Sequence, residues 1–407
     1  IDALQEVRGA PRQQQLRRLA HVEGIYVPGL YAPRYDASGQ LQAIEPIDSA
    51  VPARISKQTW RGNTLSHSTV ITPEAAWPSI HMVEVVRSCP ELCRFCLASY
   101  LTLPFRTPSL DDGLIPAVEQ GMTATRRLGL LGASVTQHPQ FNDLLQWLGQ
   151  PQFDDTRISV SSVRAATVTP QLATSLANRG SKSITIAIES GSERLRQVVN
   201  KKLSESEIHA AARYAKEGGL SALKLYGMAG LPSEEDEDIE ATASLLIALK
   251  KATPGLRLSL GVSSFVPKAH TPFQWQGVRP EAEKRLKLLA KRLKPKGIEL
   301  RPESYGWSVI QALLSRSDRR LAPVIAALRG KSDSQGNWKR AYKELKSDLP
   351  PWDDVVHGCW SSQRVLPWEH LEGPLPKSTL VKHQAEALTD GAKPLSAALP
   401  TESSPQH

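Results

Sequence analysis

Met82-Val-Glu-Val-Val-Arg-Ser-Cys89-Pro-Glu-Leu-Cys93-Arg-Phe-Cys96 decides how the chain is read. An apolar, β-branched run, Met82–Val86, leads directly into three cysteines spaced three and then two residues apart. Three thiolates on one short loop hold three corners of an iron–sulfur cube and leave the remaining iron open to an outside ligand. Zinc is the competing reading. Zinc motifs usually come as paired Cys-x-x-Cys units or with histidine partners, and the second pair is missing here. Cys359 stands far off beside His357 and Trp360; it is either a fourth ligand that closes the cluster or an unrelated thiol.

Downstream of the cysteines, short β-branched runs alternate with helical patterns. The expected strands are Met82–Val86, Gly129–Val135, Ile158–Val163, Ser183–Glu189, Ala222–Met228 and Leu256–Phe265. Ser204 and Glu207 form a capping box that opens a helix burying Ile208, Ala211, Ala212 and Ala215. A second helix follows Pro232-Ser233, with Ser233 as N-cap, acidic residues in its first turn and Lys250 and Lys251 at its end. Its inward stripe is Ile239, Ala243, Leu246 and Leu249. A third runs from Glu281 to Leu293 with Leu286, Leu289 and Leu293 inward. Strands alternating with helices imply parallel βα units joined by right-handed crossovers. The expected fold is α/β: a partial (β/α)6 barrel of TIM type with irregular N- and C-terminal extensions. Ligands of such sheets bind at the C-terminal strand ends.

The expected organisation is an N-terminal connector or arm over 1–75, a core barrel over 76–300, a Trp- and Pro-rich extension over 301–384, and a disordered tail over 385–407. The chain begins at Ile1 rather than Met, which suggests a fragment with something missing upstream. A hydrophobic fraction of 40% over 407 residues supports a sizeable core, and Lys+Arg 50 against Asp+Glu 41 makes the chain basic. A basic surface raises the prospect of an acidic partner such as RNA. Residues 279–301 carry nine Lys/Arg against three Asp/Glu, either an RNA-facing stripe or the solvated face of a helix. Four cysteines without a framework pattern point to a metal site in a reducing, cytoplasmic compartment, and no run is long enough to span a membrane.

The three-then-two spacing, with Phe95 just before the last cysteine, resembles the radical S-adenosylmethionine (SAM) superfamily over about residues 80–295. The resemblance implies that Cys89, Cys93 and Cys96 hold a four-iron four-sulfur cluster. Its open iron chelates SAM, and reductive cleavage gives a 5′-deoxyadenosyl radical that attacks a substrate the sequence does not name. An electron donor such as flavodoxin or ferredoxin is implied as a partner. Phe95 takes the place of the family's aromatic that lies against adenine. Gly132-Ala-Ser134 stands where the family often has a Gly-Gly-Glu-like motif for the methionine amino group, so Ser134 and nearby carbonyls replace the missing carboxylate, or the segment is merely a tight strand exit.

Arg164 offers a bidentate partner for a cofactor or substrate carboxylate, against the alternative of an exposed structural Arg. Glu189, at the inner end of an apolar strand, needs a partner; the methionine ammonium or ribose hydroxyls are candidates. Ser192 reads as a helix N-cap. Lys224, Tyr226, Met228 and Gly230 lie on a stretch that resembles the family's strand-five segment, which implies backbone close to adenine; Lys224 is a contact or a snorkelling side chain. Phe265–Trp275, with His270, and the Tyr26–Tyr35 stretch resemble a subgroup that often carries an upstream cobalamin-binding domain. No Asp-x-His-x-x-Gly cobalamin motif occurs in the chain. Cobalamin-assisted methyl transfer and tRNA methylthiolation are the specific reactions weighed. The non-enzyme alternative is a metal-stabilised RNA-binding module.

Overall fold

The seven parallel strands that carry the cysteine loop are β1 (His81–Glu84), β2 (Arg127–Leu131), β3 (Arg157–Val160), β4 (Ser183–Glu189), β5 (Ala222–Ala229), β6 (Arg257–Ser264) and β7 (Glu299–Pro302). They belong to a computed structural model that describes residues 1–161 and 163–392. β1, β2 and β3 pair in order, and β4 to β7 pair in order. A single parallel bridge, Val163 to Ile186, links the two sets. Sequential order and uniform parallel direction are those of the expected α/β open barrel. The seventh strand was not expected: in Glu-Leu-Arg-Pro only Leu300 is buried, so the segment carries little apolar signal.

The strands alternate rather than run continuously apolar. In β5, Leu223 and Leu225 are buried while Lys224 and Tyr226 are exposed. One face packs on the helices, and the other stays open, as half-buried strands do. The core joins Ile184, Ile186, Ile188, Leu223, Leu225, Leu258 and Leu260 to helix residues below. Each such buried side chain contributes about 1.5–3 kcal/mol.

The helices on that face are α1 (Ile115–Met122), α2 (Phe141–Leu148), α3 (Pro170–Asn178), α4 (Glu193–Val198), α5 (Glu205–Glu217), α6 (Asp236–Ala252) and α7 (Glu281–Leu293). α5 begins at the Ser204–Glu207 capping box and buries Ile208, Ala211, Ala212 and Ala215. Ser192 caps α4 through the Leu195 N–H. α6 buries Ile239, Ala243, Leu246 and Leu249, but its N-cap is Glu235, boxed with Asp238, and not Ser233. Ser233 sits two residues earlier in a left-handed backbone conformation. In α7, Leu286, Leu289 and Leu293 face inward as expected.

By contacts the chain forms two units: 1–61, 266–278 and 306–381 in one, and 62–265, 279–305 and residues from 382 onward in the other. The first includes most of the expected N-terminal connector or arm. An antiparallel hairpin, Tyr31–Tyr35 with Leu41–Pro46, and a small core of Ala20, Val27, Tyr31, Val51 and Ile55 lie within it. Ile55–Ser56 pairs with Leu371–Glu372, so the N-terminal and C-terminal extensions are one unit rather than two. The boundary falls at 61 rather than 75 because His67 bridges Val83 of β1 and extends that sheet. The expected disordered tail begins inside a helix, α8 (Lys377–Gly391), and residues 393–407 lie outside the described residues.

Candidate cluster site

The cysteine loop follows β1. Val85 N–H bonds Leu131 O at 2.8 Å, extending the strand pairing to the loop's edge, and Arg87 and Arg106 exchange backbone bonds at 2.9 Å. Ser88 and Leu92 take positive φ, and the Cys96 N–H bonds Cys93 O at 2.8 Å. Ser88, Leu92, Glu189, Asn200 and Lys202 all have left-handed backbone without being glycine. Such conformations persist only where surroundings over-determine them, and they concentrate at sites.

The surroundings here are the segment after α4. Asn200 Nδ2 donates to Glu91 O at 3.2 Å and to Leu92 O at 2.9 Å. The Arg94 N–H donates to Val199 O at 3.0 Å, and its guanidinium to Gln197 O and Val198 O at 3.0 and 2.9 Å. Glu91, between the first two cysteines, accepts from Gln137 Nε2 at 2.6 Å and pairs with Arg164 at 3.2 Å. Ser134, buried, bonds Gln137. The loop is thereby fastened to the segments that follow β2 and β3 and to the end of α4.

Cys89 and Cys93 are buried; Cys96 is partly exposed. Burial pushes the Cys93 thiol up to about 12, with Lys201 pulling it the other way. Burial also raises Cys89, against hydrogen bonds from the Glu91 N–H and the Ser99 hydroxyl. Ser99 Oγ is buried beside Cys89 with no hydrogen-bond partner of full geometry among the described residues, so its hydroxyl is not spent elsewhere. Thiolate ligands need such donors around them, which tune an iron–sulfur cluster's potential. Lys201 Nζ lies 2.7 Å from Glu189 Oε1, both nearly buried. Burial depresses the Lys201 ammonium, but Glu189 and Cys93 outweigh it and its pKa ends raised.

The donor set fits an iron–sulfur cluster: three soft thiols from one loop, with a buried cation to offset thiolate charge. Among the described residues no three His, Cys, Asp or Glu side chains gather as a single metal ion requires.

The other expected site residues divide. Phe95 is half-buried on the loop. Gly132 has φ +155, and a Cβ there would lie 2.6 Å from Val86 Cγ2, so the strand exit admits only glycine. Arg164 meets a carboxylate, but it is the chain's own Glu91. Glu189 has the partner its burial demands, Lys201. Lys224 and Tyr226 lie on the open sheet face, with Met228 half-buried beside them. Gly230 has a local role: a Cβ would meet Ala282 of α7 at 2.8 Å, and its N–H bonds Glu234 at 2.6 Å. In the first unit, His270 sits on a cavity of about 420 Å³ with Gln274 and Trp368, and Cys359 is an exposed free thiol near Gln276. Sequence reading missed Glu91, Arg94, Asn200 and Lys201. A buried Glu189 demanding a cation was the available signal for Lys201.

The basic run over 279–301 is largely internal to its own unit. Lys284 pairs with Asp236, Arg285 with Glu234, Lys287 with Glu283, Arg292 with Glu240 and Arg301 with Glu299. This is the charged face of α7 rather than a free stripe. No helix among the described residues is long and apolar enough to cross a membrane.

Residues 83–246, which include the three-cysteine loop that follows the first parallel strand, match the family model described as the Radical SAM superfamily. An uncharacterized protein of Methanocaldococcus jannaschii is 35% identical over 256 residues, 62% of this chain and 55% of its own length. The chain thus spans about half of that curated relative. Among solved structures, coproporphyrinogen III oxidase from Escherichia coli, a radical SAM enzyme, aligns at 16% identity and TM-score 0.37, covering 57% of this chain and 58% of that one. The radical SAM methyltransferase TsrM from Kitasatospora setae, solved with cobalamin and a four-iron four-sulfur cluster, aligns at 12% identity and TM-score 0.37, covering 76% and 60%. The family implies a four-iron four-sulfur cluster and SAM as cofactors.

Proposed function

We propose that this chain works as a radical SAM enzyme, with Cys89, Cys93 and Cys96 as cluster ligands. The carrying observation is the loop itself: three thiols, two of them buried, held by Glu91 to the segments after β2 and β3 and by Arg94 and Asn200 to the end of α4. When bound, the cluster and SAM supply one-electron cleavage of the sulfonium to a carbon radical. The chain's own residues bind and shield. Lys201 and Glu189 present an ammonium and a carboxylate side by side at the loop. That pair is complementary to the zwitterionic amino-acid end of SAM, and on binding Lys201 would hold its carboxylate and Glu189 its ammonium. Phe95 offers a face to adenine.

A cavity of about 570 Å³ lined by Met82, Glu84, Arg87, Ser88, Gly132 and Ala133 lies at the ends of β1 and β2, next to the loop. It is the substrate's place in this reading. The substrate is unidentified. A reducing cytoplasm and a flavodoxin- or ferredoxin-type donor suit four free thiols. Cobalamin assistance is a second reading, favoured by the resemblance of Tyr26–Tyr35 and Phe265–Trp275 to the cobalamin-associated subgroup.

The test is anaerobic reconstitution with iron and sulfide, followed by dithionite and SAM. Methionine and 5′-deoxyadenosine should form in equal amounts, and Cys93→Ala should form neither. Undiminished cleavage by Cys93→Ala rules the assignment out. Addition of cobalamin to the same reaction tests the second reading; it fails if cobalamin neither binds nor changes the products.

A further inference from the structure

We propose that the C-terminal segment His383–Gly391 of α8 is a latch that positions the cysteine loop and shields Cys93 from solvent. The inference rests on the reading of the triad as cluster ligands, and it concerns residues that lie nearly three hundred positions from the loop.

Arg94, between the second and third cysteines, has a nearly buried side chain, 8% exposed. Its guanidinium pairs with Asp390 Oδ2 at 3.0 Å and Glu386 Oε2 at 3.2 Å, both on α8. The same guanidinium holds the Gln197 and Val198 carbonyls, so one side chain ties α8, the loop and the end of α4 together. Four residues after the last cysteine, buried Tyr100 bonds Leu92 O at 3.2 Å and His383 Nδ1 at 2.8 Å. Its ring meets that of His383 edge-on, with centroids 5.8 Å apart. At the far end of the helix, Arg194 Nη1 donates to Gly391 O at 2.9 Å. A Cβ on Gly391 would stand 2.4 Å from Ser233 Oγ and 2.7 Å from Ser233 Cβ, so the helix end is seated without slack. Ala387, between these anchors, is buried.

The anchors differ in chemistry and agree in effect. A buried guanidinium without its carboxylates is strongly unfavourable, so Arg94 keeps its conformation only while α8 is in place. Arg94 is the residue after Cys93. Movement of α8 therefore exposes a thiol that is otherwise 7% exposed. Arg94 acts through the loop and is a positioning residue.

The test uses the full chain in its metal-free, reduced form and the double variant Glu386→Gln/Asp390→Asn. A disulfide reagent such as DTNB reads the thiols, with each site assigned by peptide mass. Cys93 should react at least about tenfold faster in the variant, as expected when a local opening becomes cheaper. Exposed Cys359, in the other unit, is the internal reference and should not change. Gly391→Ala, which leaves every charge in place, should speed Cys93 in the same direction and keeps the test valid if the double variant does not fold. After reconstitution, the variant's cluster should bleach in air several-fold faster than the wild type's.

Unchanged Cys93 reactivity in folded variants of both kinds overturns the latch. The thiol readout needs no cluster and no SAM. Its failure is therefore separate from failure of the proposed activity, which shows as absent SAM cleavage by a chain whose latch behaves as described.

Discussion

Lys201 Nζ and Glu189 Oε1 lie 2.7 Å apart, with side chains 14% and 9% exposed. The pair stands at the end of β4, beside the only stretch of the sequence that holds clustered thiols. A buried ion pair is weak evidence for stability, because desolvation offsets most of the attraction. In the proposed function its position beside Cys93 serves a zwitterionic ligand and a charged thiolate.

That account separates single from double replacements. Lys201→Met alone leaves a buried carboxylate uncompensated and should destabilise the fold by about 3–5 kcal/mol. Glu189→Gln/Lys201→Met together should recover most of that loss, because both charges are gone. SAM affinity should not recover with it. Urea melts and equilibrium dialysis with SAM check the two halves; recovered affinity in the double variant contradicts the role given to the pair.

Glu234 gives a pH dependence with a definite sign. Burial pushes its carboxyl up to about 7, against the Gly230 N–H and Arg285. In the unfolded chain a glutamate titrates near about 4.3. Between those values the folded protein holds a proton that the unfolded chain has lost. Stability from this group therefore falls as pH rises through that window and levels off above it, by at most about 4 kcal/mol. Glu234→Gln removes the titration. Its stability relative to wild type should improve between about pH 5 and about pH 8 in urea melts. A relative stability that stays flat or falls over this range shows that the carboxyl is already ionised when folded.

Much of this was legible in the sequence where the signals are local. The Ser204–Glu207 box marked the start of α5, and the β-branched run 183–189 marked β4 to the residue. The α6 cap was misplaced by two residues because two candidate caps stand close together; Glu235 wins by its reciprocal bond with Asp238. β7 was missed because only one of its residues is buried. The fastening of the cysteine loop was not legible, because Glu91, Arg94 and Tyr100 find partners at Arg164, Asp390 and His383. Such distant pairs leave no periodicity. Only the demand of a buried charge for a counter-charge announces them, and that demand names no partner.

Gly132 is a backbone requirement at the strand exit. Gly132→Ala must place a methyl 2.6 Å from Val86 Cγ2 and 2.8 Å from Val86 O at a φ of +155. A loss of about 2–3 kcal/mol is expected, read by chemical denaturation. A loss below about 0.5 kcal/mol, the range of an indifferent surface change, shows that the exit has room the structure does not contain.

The central claim is that three thiols from one loop leave one iron free for SAM. Mössbauer spectroscopy of the protein reconstituted with iron-57, with and without SAM, tests it most directly. One iron should be distinguishable from the rest once SAM is added, and Cys93→Ala should carry no such cluster. Iron sites that ignore SAM altogether, or a stoichiometric zinc ion in place of the cluster, contradict the account.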